Sequence, residues 1–140
     1  HMTDTFEKTY NDWSIDVGTY KYEGITLNEV EQNLYAIQDQ EQDFVIVSPS
    51  NAISIDKKQY NFVQVCCDED TDLLHIELSV TNDGDQGAIL YGKNELGPQE
   101  VLQIIEDFIA YHKVPPLDSW EIVLDLRPKT ESYVKDTENE

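Results

Sequence analysis

A strict alternation of apolar and polar residues between Leu74 and Val80 constrains the fold of this chain more than any other feature. Leu74, Ile76, Leu78 and Val80 are separated by His75, Glu77 and Ser79. This spacing is typical of a strand with one buried and one exposed face. Alternating runs also predict strands at 12–22, 53–55, 60–67 and 120–124, and short apolar runs predict strands at 44–47 and 87–92. Alternation of this kind favours an antiparallel sheet that is covered on one side only.

Two amphipathic segments predict helices that cover this sheet. In the first, Thr26 precedes an apolar stripe and Glu29 follows three residues later, which matches a capping box and predicts a helix at about 27–39. Gly97 and Pro98 open the second, which we expect to span about 98–112 before Pro115 and Pro116 end it. Strands followed by packed helices define an α+β fold.

One domain is expected for a chain of 140 residues. We place it at residues 1–126, and we expect His1 and Met2 to be the remnant of an expression tag. From Arg127 onward only Tyr133 and Val134 are apolar or aromatic, so residues 127–140 are predicted to form a polar, flexible tail.

The charge of the chain restricts its partners. It carries 29 acidic and 9 basic residues, a formal net charge of −20. The tail contributes four acidic and three basic residues, so 25 acidic and 6 basic residues belong to the predicted domain. Nucleic acid and anionic membranes are polyanions, so binding to either by charge attraction is excluded. A cationic protein surface is the expected partner, although acidity can also serve solubility alone.

Three acidic clusters are predicted at element ends or turns, where they could share one rim of the sheet. Attraction of a cationic partner to such a rim would accelerate association, and an exposed aromatic residue could anchor the complex. Tyr91 is a candidate anchor. The expected partner-binding residues are Tyr91 and the members of the three clusters: Asp39, Glu41 and Asp43 in the first, Asp68, Glu69, Asp70 and Asp72 in the second, and Asp83 and Asp85 in the third.

Motifs for catalysis or metal binding are not evident. Counted from Asp68, a calcium loop would need glycine at Leu73 and glutamate at Ser79, so that motif fails. Cys66 and His75 could face each other on neighbouring strands, which leaves a Cys–His nucleophile pair as a remote alternative. A weak carboxylate calcium site is a second alternative. We expect no enzyme activity, no metal site and no cofactor.

The setting is expected to be reducing and cytoplasmic. Cys66 and Cys67 are adjacent and point to opposite faces of a predicted strand, so they are poorly placed to form a disulfide. The chain also shows no apolar run of membrane-spanning length and no secretion signal.

The segment from Gly97 to Ile109, with the following residues Pro115 to Trp120, resembles a family of bacterial immunity proteins from polymorphic toxin and contact-dependent inhibition systems. The shared features are an amphipathic helix, a proline and a tryptophan that enters a strand, and His112 stands where the family has glycine. The resemblance implies a cytoplasmic antidote that blocks a nuclease or nucleic-acid deaminase toxin. It also implies that Phe108 and Trp120 belong to the scaffold.

Charge and resemblance together predict an immunity protein that occludes the active site of a cationic toxin domain with an acidic surface. The alternative is a nucleic-acid mimic that inhibits a DNA- or RNA-binding protein, which would need carboxylates spaced like phosphates. Two further hypotheses remain. One is an enzyme with a carboxylate-bound metal, and the other is an acidic structural or regulatory domain without a toxin partner.

Overall fold

The computed structural model describes residues 2–129. These residues form an antiparallel sheet of eight strands with three helices, which confirms the expected α+β fold. In chain order the elements are α1 (Met2–Glu7), β1 (Tyr10–Asp16), β2 (Lys21–Ile25), α2 (Leu27–Gln38), β3 (Phe44–Pro49), β4 (Ile53–Ile55), β5 (Lys58–Cys67), β6 (Leu74–Thr81), β7 (Ile89–Leu96), α3 (Pro98–Tyr111) and β8 (Glu121–Asp125).

The sheet has the order β2-β1-β3-β5-β6-β7-β8, and the short strand β4 pairs with β5 off this path. All its pairs are antiparallel. Strands β2 and β8 therefore form the two outer edges. The central strands β5 and β6 are the longest pair, and their connecting turn lies at the same end of the sheet as the start of β3, because Phe44 pairs with Cys66.

One face of the sheet packs against α2 and α3 and forms the core. Leu74, Ile76, Leu78 and Val80 are all buried, as their alternation predicts. Phe108 of α3 is the centre of an aromatic contact, because its ring lies edge-on to Trp13 at 5.1 Å and to Tyr60 at 6.4 Å between centroids. Such edge-to-face pairs add to the stability gained from burial itself.

Both predicted helices are confirmed to within one residue. Helix α2 begins with the predicted capping box: the Glu29 amide donates to the Thr26 hydroxyl, and the Thr26 amide donates to the Glu29 carboxylate. It ends at Gln38 rather than 39. Helix α3 ends at Tyr111, because His112 adopts a left-handed conformation with φ of 51° and stops the helix.

Two expectations about strands need correction. Residues 12–22 form a hairpin rather than one strand, since Gly18 with φ of 90° turns the chain between β1 and β2. Strand β7 continues past Gly92 to Leu96. Gly92 is required there, because a Cβ atom would lie 2.5 Å from the Val123 side chain and 2.9 Å from the His75 ring.

The ends of the chain add two further differences. Helix α1 has no counterpart among the predicted elements, and its Phe6 packs against the core. The last strand begins at Glu121, after the buried Trp120, and its alternating apolar residues Ile122 and Leu124 are exposed rather than buried. His1 and residues 130–140 lie outside the described residues, so the flexible tail at 127–140 and the domain limit at 126 stay predictions.

The left-handed residues at the ends of both helices predict a stability effect. Gln40, just after α2, has φ of 62°, and His112 has φ of 51°. Residues other than glycine are strained in this left-handed backbone conformation. We expect Gln40→Gly and His112→Gly each to raise the free energy of unfolding by about 0.5–1 kcal/mol, as measured by urea unfolding.

Gln103→Gly is the control, since Gln103 lies exposed inside α3 with helical geometry. It should lower the free energy of unfolding by about 1 kcal/mol. Equal losses in all three variants would show that the left-handed positions carry no strain.

Candidate functional site

Two of the three predicted acidic clusters meet at one end of the sheet. The pairing of Phe44 with Cys66 brings the chain before β3 next to the turn after β5. Between them lies an open depression with a volume of about 640 Å³, which we call the acidic groove. It is lined by Ile37, Gln40, Gln42, Asp43, Cys66, Cys67, Asp68, Glu69, Thr71 and Asp72. Asp39, Glu41 and Asp70 belong to the same two loops without lining the groove.

The groove is strongly anionic. Four of its lining residues are carboxylic acids, and neither lysine nor arginine is among them. Over the described side chains, a basic group forms an ion pair only with Glu77, Asp85 and Asp125. The groove carboxylates are therefore not neutralised by the protein itself, so their negative potential reaches the solvent.

Hydrogen bonds hold the first loop of the groove in place. After α2, the Gln40 amide donates to the Ile37 carbonyl and the Glu41 amide donates to the Ala36 carbonyl, which closes the helix end. The Gln42 side-chain amide donates to Asn33 Oδ1 at 2.7 Å and to the Phe44 carbonyl at 3.1 Å. The loop that carries Asp39, Glu41 and Asp43 is thus attached both to α2 and to β3.

The two loops are also joined to each other. The Gln38 side-chain amide donates to the Asp72 carbonyl at 3.5 Å, and the Cys67 thiol donates to the Ile37 carbonyl at 3.4 Å. These contacts cross from the end of α2 to the turn between β5 and β6. Asp43 from the first loop and Asp72 from the second both line the groove.

Asp68 has a structural role, which corrects its assignment as a partner-binding residue. It is buried, unlike Glu69, Asp70 and Asp72. Its carboxylate accepts hydrogen bonds from the Asp70 amide and the Glu95 amide, each at 3.2 Å. Because Glu95 lies at the end of β7, Asp68 ties the acidic turn to the neighbouring strand and is not free to meet a partner.

The third acidic cluster does not join the groove. Asp83 and Asp85 lie in the turn after β6, at the opposite end of that strand, which is about 25 Å long. Arg127 approaches Asp85 at 3.8 Å and forms a close bidentate contact with Asp125 at 2.7 and 2.9 Å. These hydrogen bonds lower the pKa of Asp125 to about 2. The expectation that all three clusters share one rim is therefore wrong.

Tyr91 is placed away from the groove as well. It lies on β7, paired with Leu78 and Ile122, and is half-buried against the core. It supports the sheet, and the structure does not present it as an anchor beside the groove carboxylates.

The Cys66–His75 alternative finds no support in the geometry. The two residues do pair across β5 and β6. However, the two ring nitrogens of His75 contact Asn94 Oδ1 and Glu77 Oε2, so neither is directed at the thiol. Burial, with a smaller contribution from Glu77, raises the pKa of the Cys66 thiol. A raised pKa disfavours the thiolate that a nucleophile requires.

The described part of the chain was searched for metal-binding groups of side chains and for helices that could span a membrane. No group of three histidine, cysteine, aspartate or glutamate side chains within it is arranged to hold a metal ion. None of its helices has the length and apolar character needed to cross a lipid bilayer.

A scan against protein-family models, a search of curated proteins and a search of solved structures each returned no match. The resemblance to bacterial immunity proteins therefore stays a prediction from the sequence.

The buried carboxylate predicts an unequal response of two neighbouring residues. Asp68→Ala leaves the Glu95 amide without its acceptor. We expect this variant to lose about 1–3 kcal/mol of unfolding free energy in urea titrations.

Asp70→Ala is the matched control, because Asp70 is exposed in the same turn. Its free energy of unfolding should change by less than about 0.5 kcal/mol. A similar loss in both variants would mean that Asp68 is an ordinary surface carboxylate.

Proposed function

We propose that the chain is an immunity protein that binds a cationic toxin domain, a nuclease or a nucleic-acid deaminase, and blocks its active site with the acidic groove. The observation that carries this proposal is the meeting of Asp43, Glu69 and Asp72 around one open groove with no basic side chain in its lining. Toxins that act on nucleic acid need a basic cleft for their substrate. An anionic surface of fixed shape is complementary to such a cleft.

The rigidity of the groove supports a role in recognition. Its loops are fixed by side-chain hydrogen bonds to α2, β3 and β7, so little conformational entropy has to be lost on binding. A rigid patch of one sign accelerates the encounter with a partner of the opposite sign, to about 10⁸–10⁹ M⁻¹s⁻¹ at low salt. The proposed mechanism is therefore steering followed by steric occlusion, without catalysis and without a cofactor.

The proposed site of action is the cytoplasm, where an antidote would meet a toxin that degrades or edits nucleic acid. Cys66 and Cys67 are both free thiols, which fits a reducing compartment.

We expect the reading frame beside the gene to encode the toxin domain. The test uses that domain, purified as an inactive variant, with association rates measured at low and at physiological salt. Asp43→Asn, Glu69→Gln and Asp72→Asn together should slow association about tenfold at low salt, and much less at physiological salt, because screening weakens the lost attraction. Co-expression of the unchanged chain with the active toxin should restore growth.

The matched control neutralises three exposed carboxylates away from the groove, at Asp12, Glu23 and Asp118. It removes the same charge and should slow association by less than about twofold. Equal slowing in both triple variants would indicate that net charge alone acts. If the protein instead displaced duplex DNA from unrelated nucleic-acid-binding proteins, this result would favour the hypothesis of a nucleic-acid mimic.

A further inference from the structure

The outer strand β8 has an apolar surface and an edge that no described strand covers. Four large aliphatic side chains in the described part of the chain are exposed; three lie in β8 and the fourth just after it: Ile122 (57%), Val123 (47%), Leu124 (48%) and Leu126 (54%). The other exposed large apolar residues are tyrosines at three separate places. A contiguous apolar segment on the surface marks an interaction site more often than single residues do.

The apolar residues of β8 lie on both faces of the sheet. Leu124 pairs with Leu90 and Ile122 pairs with Tyr91, on opposite faces, and the irregular register between these pairs accommodates Val123. A strand that is apolar on both faces is typical of the interior of a sheet, where neighbours cover it on either side. Among the described strands, β8 has a neighbour, β7, on one side only.

The two edges of the sheet are unequal. At the opposite edge, β2 carries the exposed charged residues Lys21 and Glu23, and Gly24 has a positive φ of 80°. Charges and backbone irregularities are the usual protection of an edge against pairing. Strand β8 also has an irregularity, at Val123, but between its terminal residues it has neither a charged side chain nor a proline. No described strand pairs with its outward amides and carbonyls, which are the groups that an added strand binds.

Charge decides which strand can be added. Glu121 and Asp125 stand at the two ends of β8, and Asp85 lies nearby. Among the described residues, Arg127 forms ion pairs with Asp125 and Asp85, and no basic group forms an ion pair with Glu121. Two copies of this chain that paired through β8 would bring together two bodies that each carry a net charge of −20. Repulsion between these bodies opposes such a pair. A second copy is therefore disfavoured.

We propose that β8 is a docking edge for an extended segment of a cationic partner protein, which adds an antiparallel strand with an apolar centre and lysine or arginine at its ends. Backbone hydrogen bonds supply the affinity. The flanking carboxylates select the basic ends, and Ile122, Val123 and Leu124 cover the apolar centre. This edge is separate from the acidic groove, so the inference does not depend on the proposed function.

The probe is a synthetic peptide of alternating valine and threonine with two lysines at each end. It is titrated into the full chain while amide hydrogen exchange and NMR shifts are recorded. Exchange of the outward amides in β8 should slow at least about tenfold at saturation. Proline in place of two central residues, or glutamate in place of the lysines, should weaken binding at least about tenfold.

Two variants of the protein provide the controls. Val123→Lys should abolish binding, whereas Tyr20→Lys, which adds the same charge at an exposed apolar residue elsewhere, should leave binding unchanged. Glu121→Lys alters the charge and leaves the apolar side chains in place, so it should weaken binding of the lysine peptide and strengthen that of the glutamate peptide.

Several results would overturn the proposal. Shifts confined to the acidic groove and equal for the proline peptide would show attraction by charge alone. Dimerisation of the free chain that Val123→Lys prevents would assign the edge to a second copy. Binding that occurs only after removal of residues 130–140 would assign the edge to the chain's own C-terminal segment.

Discussion

Burial of one sheet face by α2 and α3 is the constraint on which the rest of the structure depends. A body with a net charge of −20 repels itself, so the folded state has to be held by apolar contacts rather than by ion pairs. These contacts converge on Phe108, which lies fully buried between Trp13 and Tyr60. The core thus links the first strand, the centre of the sheet and the second long helix in one cluster.

This arrangement leaves the charged residues to the loops, and the strand order decides where they meet. Because β3 and β5 are neighbours, the loop after α2 and the turn after β5 come together and form the acidic groove. Asp83 and Asp85 follow the last residue of β6, whereas the groove lies at its first residue. The length of this strand therefore keeps the two residues far from the groove. The same order leaves β8 at an edge, with apolar side chains that no described element covers.

Local sequence patterns predicted most helices and strands. They did not predict which distant segments meet in the folded chain. The alternation from Leu74 to Val80 and the capping box at Thr26 depend on neighbouring residues, so the sequence shows them directly. The convergence of two acidic loops depends on strand order, which no local pattern contains. The buried state of Asp68 depends on the Glu95 amide, 27 residues away. The exposure of Ile122 and Leu124 could not be predicted from the sequence. Apolar residues alternate with others in the same way in an edge strand and in an interior strand of a sheet.

Unfolding as a function of salt tests most directly whether a single apolar core holds an unneutralised anionic body. Raising NaCl from about 10 mM to about 150 mM shortens the range of electrostatic interactions from about 30 Å to about 8 Å. If the carboxylates repel one another without basic partners, the midpoint of thermal unfolding rises over this interval. A midpoint that falls would mean that attractive ion pairs hold the fold, and it would contradict a folded state held by apolar contacts against the repulsion of its own charge.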